Sequence, residues 1–166
     1  MAALMKRKSS EHLGVCLDTG NNISLLDDPV EVVEALAPYA VCTHLKDMGV
    51  ARYTDGFLLS EMPFGEGFLD LKQIVAALRR ARPKTKITLE MITRNPLEVP
   101  CLTEKYWITF PDRNGKYLAR TLRLVDANAK KQGLPRIDQL DKPAQLRLEE
   151  ENVRQCLYYA RQQFGL

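Results

Sequence analysis

Three short apolar runs alternate with two amphipathic stretches in the first 92 residues, and this alternation limits the fold most. The runs are LGVCLD (13–18), AVCTHL (40–45) and KITLEM (86–91). Each is four to six residues of strand-forming character, bounded by turn residues or by a helix signal. Between the first two, Asp28-Pro29 with Glu31 predicts an N-cap, a proline at the first helical position and an acid in the first turn. The helix it opens runs over PVEVVEALAP to Pro38. Between the second and third, Asp70 caps a helix over 71–82 whose Leu71, Ile74, Val75 and Leu78 share a face. Arginines close its last turn and Pro83 follows, which suits a helix C-terminus. Strand, helix, strand, helix, strand reads as a parallel sheet covered by helices.

Each strand carries one polar side chain at its C-terminal end. Side chains alternate across a strand, so Gly14, Cys16 and Asp18 share a face, as do Cys42 and His44, and Thr88 and Glu90. The aliphatic residues fall on the opposite faces, where helices pack. Parallel α/β folds place their chemistry at the C-terminal strand edge. An aspartate, a histidine and a glutamate meeting there offer oxygen and imidazole ligands to a divalent cation. The residues by themselves leave a second reading open, a hydrogen-bonded network without a metal.

The remainder of the chain divides into three parts. Residues 46–69, with four glycines, read as a long functional loop. Residues 93–115 read as an irregular, proline-rich excursion in which Tyr106, Trp107 and Phe110 either wall a pocket or anchor the segment. Helices are expected over 116–131, through Leu118, Leu122, Val125 and Ala129, and over 143–164, through Leu146, Val153, Leu157, Ala160 and Phe164. Residues 1–166 are thus read as one domain.

The net charge of +3 is spread over both signs with no basic stripe, so nucleic acid is not an expected partner. No apolar stretch reaches the ~20 residues of a membrane helix. The basic opening MAALMKRKSS lacks the apolar run of a secretory signal, leaving a short mitochondrial presequence as the alternative to a cytoplasmic location. Cys16, Cys42, Cys101 and Cys156 are widely spaced and read as reduced, buried thiols.

In order and setting, D-x-G-N at 18–21, H-x-K-D at 44–47, G-x-G-x-x-D at 65–70 and L-E at 89–90 resemble the C-terminal half of the xylose isomerase-like TIM barrels. That superfamily comprises sugar-phosphate isomerases and epimerases, and includes inosose dehydratases and endonuclease IV-type enzymes. The resemblance implies an α/β fold, a partial (β/α)8 barrel holding about its last three strand–helix units, with a C-terminal helical extension. It implies Asp18, His44 and Glu90 as ligands of one divalent ion (Mn, Mg, Co or Zn), with Glu90 also the catalytic acid/base. It implies proton transfer next to a carbonyl of a sugar or sugar phosphate through a metal-stabilised enediolate.

Asn21 stands where many epimerases carry a histidine, and suits a sugar hydroxyl. Lys46 is a candidate substrate contact, and Arg94 a candidate for an anionic substrate group. Asp47 is either an orienting residue or a solvated one. Gly65 and Gly67 either approach a ligand or shape the lead-in to the helix. His12 reads as exposed. The family's first metal-binding glutamate and its barrel strands one to five have no counterpart in the motifs found here. The expectation is therefore a truncated or separately encoded half that self-associates or pairs with the missing barrel half. The alternatives are an inactive half-barrel acting through association, and a polyol dehydratase of the inosose type.

Overall fold

The computed structural model describes residues 1–8 and 10–165. Its centre is a parallel sheet of three strands in the order β1 (Val15–Asp18), β2 (Ala40–Leu45) and β5 (Lys86–Leu89). The sheet does not close on itself. Two helices make the crossovers, α2 (Pro29–Leu36) and α3 (Leu71–Ala81). Asp28 caps α2, accepting the Val30 and Glu31 N–H groups through its carboxylate, and Asp70 caps α3 by accepting from Gln73 N–H. A short 3-10 turn, Ala37–Tyr39, follows α2, since Pro38 cannot continue the α-helical hydrogen bonds.

The core lies between these helices and the outer face of the sheet. Leu17, Val33, Leu45, Leu71, Ile74, Val75 and Leu78 are all buried there. The other face is open, and the expectation of buried cysteines fails on it: Cys16 is exposed and Cys42 only half-buried. In a closed barrel that face would be the interior. Cys101 and Cys156, on other elements, are buried.

The largest departure from the sequence reading is at residues 46–69, which form a β-hairpin in place of a loop. Strands β3 (Asp47–Tyr53) and β4 (Gly56–Met62) pair antiparallel from Asp47↔Met62 to Tyr53↔Gly56, and β6 (Leu97–Val99) joins β4. The glycines masked the strands by breaking the alternation. Gly49 fits because a Cβ there would press on Met62 and Leu134, and Gly56 because its Cβ would overlap the Val99 carbonyl oxygen. The third barrel strand also ends earlier than expected, at Leu89, leaving Glu90 just beyond it.

Among the described residues there are four further helices: α1 (Ala2–Lys8), α4 (Glu104–Trp107), α5 (Gly115–Asn128) and α6 (Lys142–Phe164). The excursion at 93–115 therefore holds β6 and α4. Tyr106 donates its hydroxyl to Ser24 O (2.6 Å) and Trp107 its indole N–H to Cys101 O (3.0 Å), so these aromatics anchor the segment. Helix α5 packs on β3 through buried Val125. Helix α6 buries only part of the expected face: Phe164 is buried and Ala160 packs against the core as expected, whereas Leu146 and Leu157 are exposed and Cys156 is buried instead. Cys156, Ala160 and Phe164 lie four apart and meet Phe64, whose N–H points at Cys156 Sγ (3.4 Å).

Candidate functional site

The parallel register sets Asp18 beside His44, and His44 beside Thr88. Hydrogen bonds beyond the strand ends hold this edge. Thr19 N–H donates to His44 O (3.1 Å), Glu90 N–H donates to Leu45 O (2.9 Å), and the buried Thr19 hydroxyl accepts from Lys46 N–H (3.0 Å). One donor atom each from Asp18, His44 and Glu90 lies within 4.8 Å of the others. The structure thus brings together the three residues that the strand-end pattern singled out.

Asp18 is fixed by its own turn. Its Oδ1 accepts from Gly20 N–H (2.9 Å) and Asn21 N–H (2.8 Å), and its Oδ2 from the Asn21 side-chain amide (2.7 Å). Asn21 therefore orients a ligand candidate as well as facing the site. His44 Nδ1 lies 2.7 Å from Glu90 Oε2, close enough for the two to pair. Apart from this contact, that buried oxygen has no hydrogen-bond partner among the described residues.

Lys46 occupies a position the sequence did not reveal. Its side chain is 1% exposed, and its Nζ lies 3.0 Å from Asp18 Oδ2, 3.0 Å from Glu90 Oε1 and 3.7 Å from Glu61 Oε1. Burial draws the Lys46 pKa down, but the Glu90, Asp18 and Glu61 carboxylates outweigh it and the net shift is upward. The ammonium is enclosed by protein carboxylates, not held out towards solvent.

Glu61 escaped the sequence analysis altogether, because it lies in the stretch read as a loop. Its side chain is 1% exposed. Its Oε2 accepts from Ile92 N–H (2.5 Å), and Arg94 Nη2 stands 3.4 Å from Oε1. Burial pushes its carboxyl pKa up, with Ile92 N–H, Lys46 and Arg94 pulling the other way. Arg94, half-exposed, thus meets a protein carboxylate and lines a cavity of about 210 Å³ with Thr93, Ile137 and Asn152. The signal for Glu61 was the Thr-Asp-Gly turn at 54–56 between two apolar runs, which marks a hairpin and so a strand carrying Glu61.

Asp47 is neither solvated nor in contact with the donor set. Its buried carboxylate accepts four backbone N–H groups, Met48 (2.9 Å) and Leu69 (3.1 Å) on Oδ1, Gly65 (2.9 Å) and Gly67 (3.0 Å) on Oδ2. The two glycines shape the lead-in to α3 around this carboxylate. A Cβ on Gly67 would overlap Asp47 Oδ1. His12 is exposed, beside Glu11.

Two carboxylates and an imidazole are suitable donors for Mn, Mg, Co or Zn. Asp18, Glu61 and Glu90 bring three negative charges against the one positive charge of Lys46, which leaves a surplus beyond what Arg94 can offset. Beside its contact with His44 Nδ1, Glu90 Oε2 keeps capacity to accept from a cation or a further donor. On chemistry and charge, these residues fit a divalent ion.

Comparison with known proteins agrees with the fold. The sequence model of the xylose isomerase-like TIM barrel family matches residues 1–116. Over 79 residues the chain is 37% identical to the 3-oxo-isoapionate decarboxylase of Pectobacterium atrosepticum, covering 46% of this chain and 29% of that protein. A crystal structure of a xylose isomerase-like TIM barrel protein from Mycobacterium smegmatis in complex with magnesium is similar over 72% of this chain and 39% of its own. That similarity has a TM-score of 0.47 and 18% sequence identity. The chain spans less than half the length of either relative in these matches.

Proposed function

The chain belongs to the xylose isomerase-like TIM barrel family, and from that premise we propose that it carries the metal-binding edge of a sugar or sugar-phosphate isomerase or epimerase. The observation that supports this most is the convergence of Asp18, His44 and Glu90 at the C-terminal edge of the parallel sheet. In this reading those three hold a divalent cation. When bound, the cation polarises the carbonyl and hydroxyl oxygens of an α-hydroxy carbonyl compound and offsets the negative charge that develops on them.

Glu90 takes the proton from the carbon beside the carbonyl and returns it, with His44 and Lys46 holding its carboxylate in place. Asn21 meets a substrate hydroxyl while keeping Asp18 in place. Lys46 orients the Asp18 and Glu90 carboxylates from behind, and Arg94 meets the anionic group of a sugar phosphate by leaving Glu61. The open sheet face, on which Cys16 is exposed, favours self-association or pairing with further barrel strands. Four free cysteines suit a reducing, cytoplasmic setting.

The identity with the decarboxylase favours a second reading. In a 3-oxo acid the carboxylate lies one carbon from the ketone. Breaking that C–C bond releases CO2 and leaves the electron pair on the carbon next to the carbonyl, where a proton is then added. The same carbanion position and the same charge stabilisation serve both reactions.

One experiment separates the readings. The Mn2+-loaded protein is incubated in D2O with ketoses, ketose phosphates and 3-oxo sugar acids, beside His44→Ala, with products followed by NMR. Deuterium next to the carbonyl without CO2 release is the expected result, and CO2 release assigns the decarboxylase reading. Wild type that binds Mn2+ yet yields neither product refutes catalysis by this chain and leaves association as its role. No Mn2+ bound refutes the metal site itself.

A further inference from the structure

The hairpin carries a buried carboxylate that none of the strand-end motifs contains. Glu61 lies on β4, in the antiparallel sheet, yet its three polar partners belong to the C-terminal edge of the parallel sheet. Lys46 follows β2, while Ile92 and Arg94 follow β5. It links the two sheets through polar contacts, and it touches the chain two residues past Glu90. Stability alone does not account for it, since a buried ion pair replaced by apolar side chains is commonly neutral or stabilising.

The geometry around Lys46 supplies a reason. Its ammonium is shared by three carboxylates, two of which are the candidate ligands Asp18 and Glu90. A divalent cation and the ammonium draw on the same negative charge. With Glu61 ionised, part of the ammonium's compensation comes from behind the site. With Glu61 neutral, the only carboxylates left to Lys46 are Asp18 and Glu90, and it competes with the cation for both.

We propose that Glu61 is a positioning residue that holds Lys46 back from the Asp18–His44–Glu90 donor set and so keeps this set open to a divalent cation. The inference rests on the metal-site reading above. Glu61 acts through Lys46, and its hydrogen bond to Ile92 N–H fixes the segment that carries Glu90.

Mn2+ binding, followed by the EPR signal of the free ion, tests it in wild type, Glu61→Gln, Lys46→Met and the double variant. Gln keeps the shape and can still accept from Ile92 N–H, so the charge is what changes. Glu61→Gln is expected to weaken Mn2+ binding about tenfold in the wild-type background, and less than about threefold when Lys46 is Met. Unchanged binding in Glu61→Gln, or an equal loss in both backgrounds, overturns the proposal while leaving the metal site standing. Wild type that binds no Mn2+ overturns the metal-site reading and this inference with it. Should Glu61→Gln not fold, Glu61→Asp is read in the same titration. Withdrawing the charge by one methylene is expected to weaken binding by a smaller factor, and unchanged affinity refutes the role.

Discussion

Replacing Asp47 by Asn tests a buried carboxylate that accepts four backbone N–H groups, with a change of one heavy atom. Each Asp47 oxygen accepts two N–H groups, Oδ1 from Met48 and Leu69, Oδ2 from Gly65 and Gly67. Whichever way an asparagine amide turns, its NH2 faces two N–H donors and both lose their acceptor. An unsatisfied buried donor costs about 1–3 kcal/mol, so two cost about 2–6 kcal/mol. Against this, removing the charge relieves the burial that pushes the Asp47 pKa up. The net expectation is a loss of about 2–4 kcal/mol. With an m-value of about 2 kcal/mol/M, the urea midpoint falls by about 1–2 M. Circular dichroism gives the midpoint, and amide exchange at Gly65, Gly67 and Leu69 locates the damage. Those three amides should lose protection even where the rest of the protein stays folded. A midpoint within about 0.3 M of wild type, with exchange unchanged, would show that the clamp carries no stability and refute the reasoning.

Gly67→Ala drives a methyl group into the same carboxylate and towards Met48 N–H, and should cost about 1–3 kcal/mol in the same urea assay. A neutral result would mean that the loop yields easily. Burial raises the Glu61 pKa above the ordinary 4.5, so between the unfolded and folded values the native state binds more protons than the unfolded chain. Its contribution to stability therefore falls as pH rises through that window, and the stability of wild type relative to Glu61→Gln should fall with it. A difference independent of pH would contradict this. Among the thiols, exposed Cys16 should react first with an aromatic disulfide reagent, and Cys156, buried and pushed up to about 11, only on unfolding. Early labelling of Cys156 would place α6 away from Phe64.

The crossover units were legible because their signals are local. The Asp28 and Asp70 caps, the spacing of Leu71, Ile74, Val75 and Leu78, and the two-residue alternation of the strands each act over a few residues. Alternation also assigned Asp18 and His44 to one face, and the parallel register then made them neighbours. The hairpin was harder to see, because its strands are buried with small residues interspersed and so lack the alternation of a half-exposed strand. The face of α6 was legible only in part. Ala160 and Phe164 pack inward as the spacing predicts, but apolar residues encircle much of the helix, and the position of Phe64 brings Cys156 inward while Leu146 and Leu157 stay exposed.

Sequence alone thus determined the strand–helix alternation, the starts of the two crossover helices and the three polar residues at the sheet edge. Tertiary structure decided where the buried charges find their partners. Lys46, just past β2, and Glu61, on β4, are fifteen positions apart, and Asp47 binds amides eighteen to twenty-two residues away. A side chain's conformational preference is set by its neighbours in the chain, but the compensation of a buried charge is set by whatever folding brings within a few ångströms.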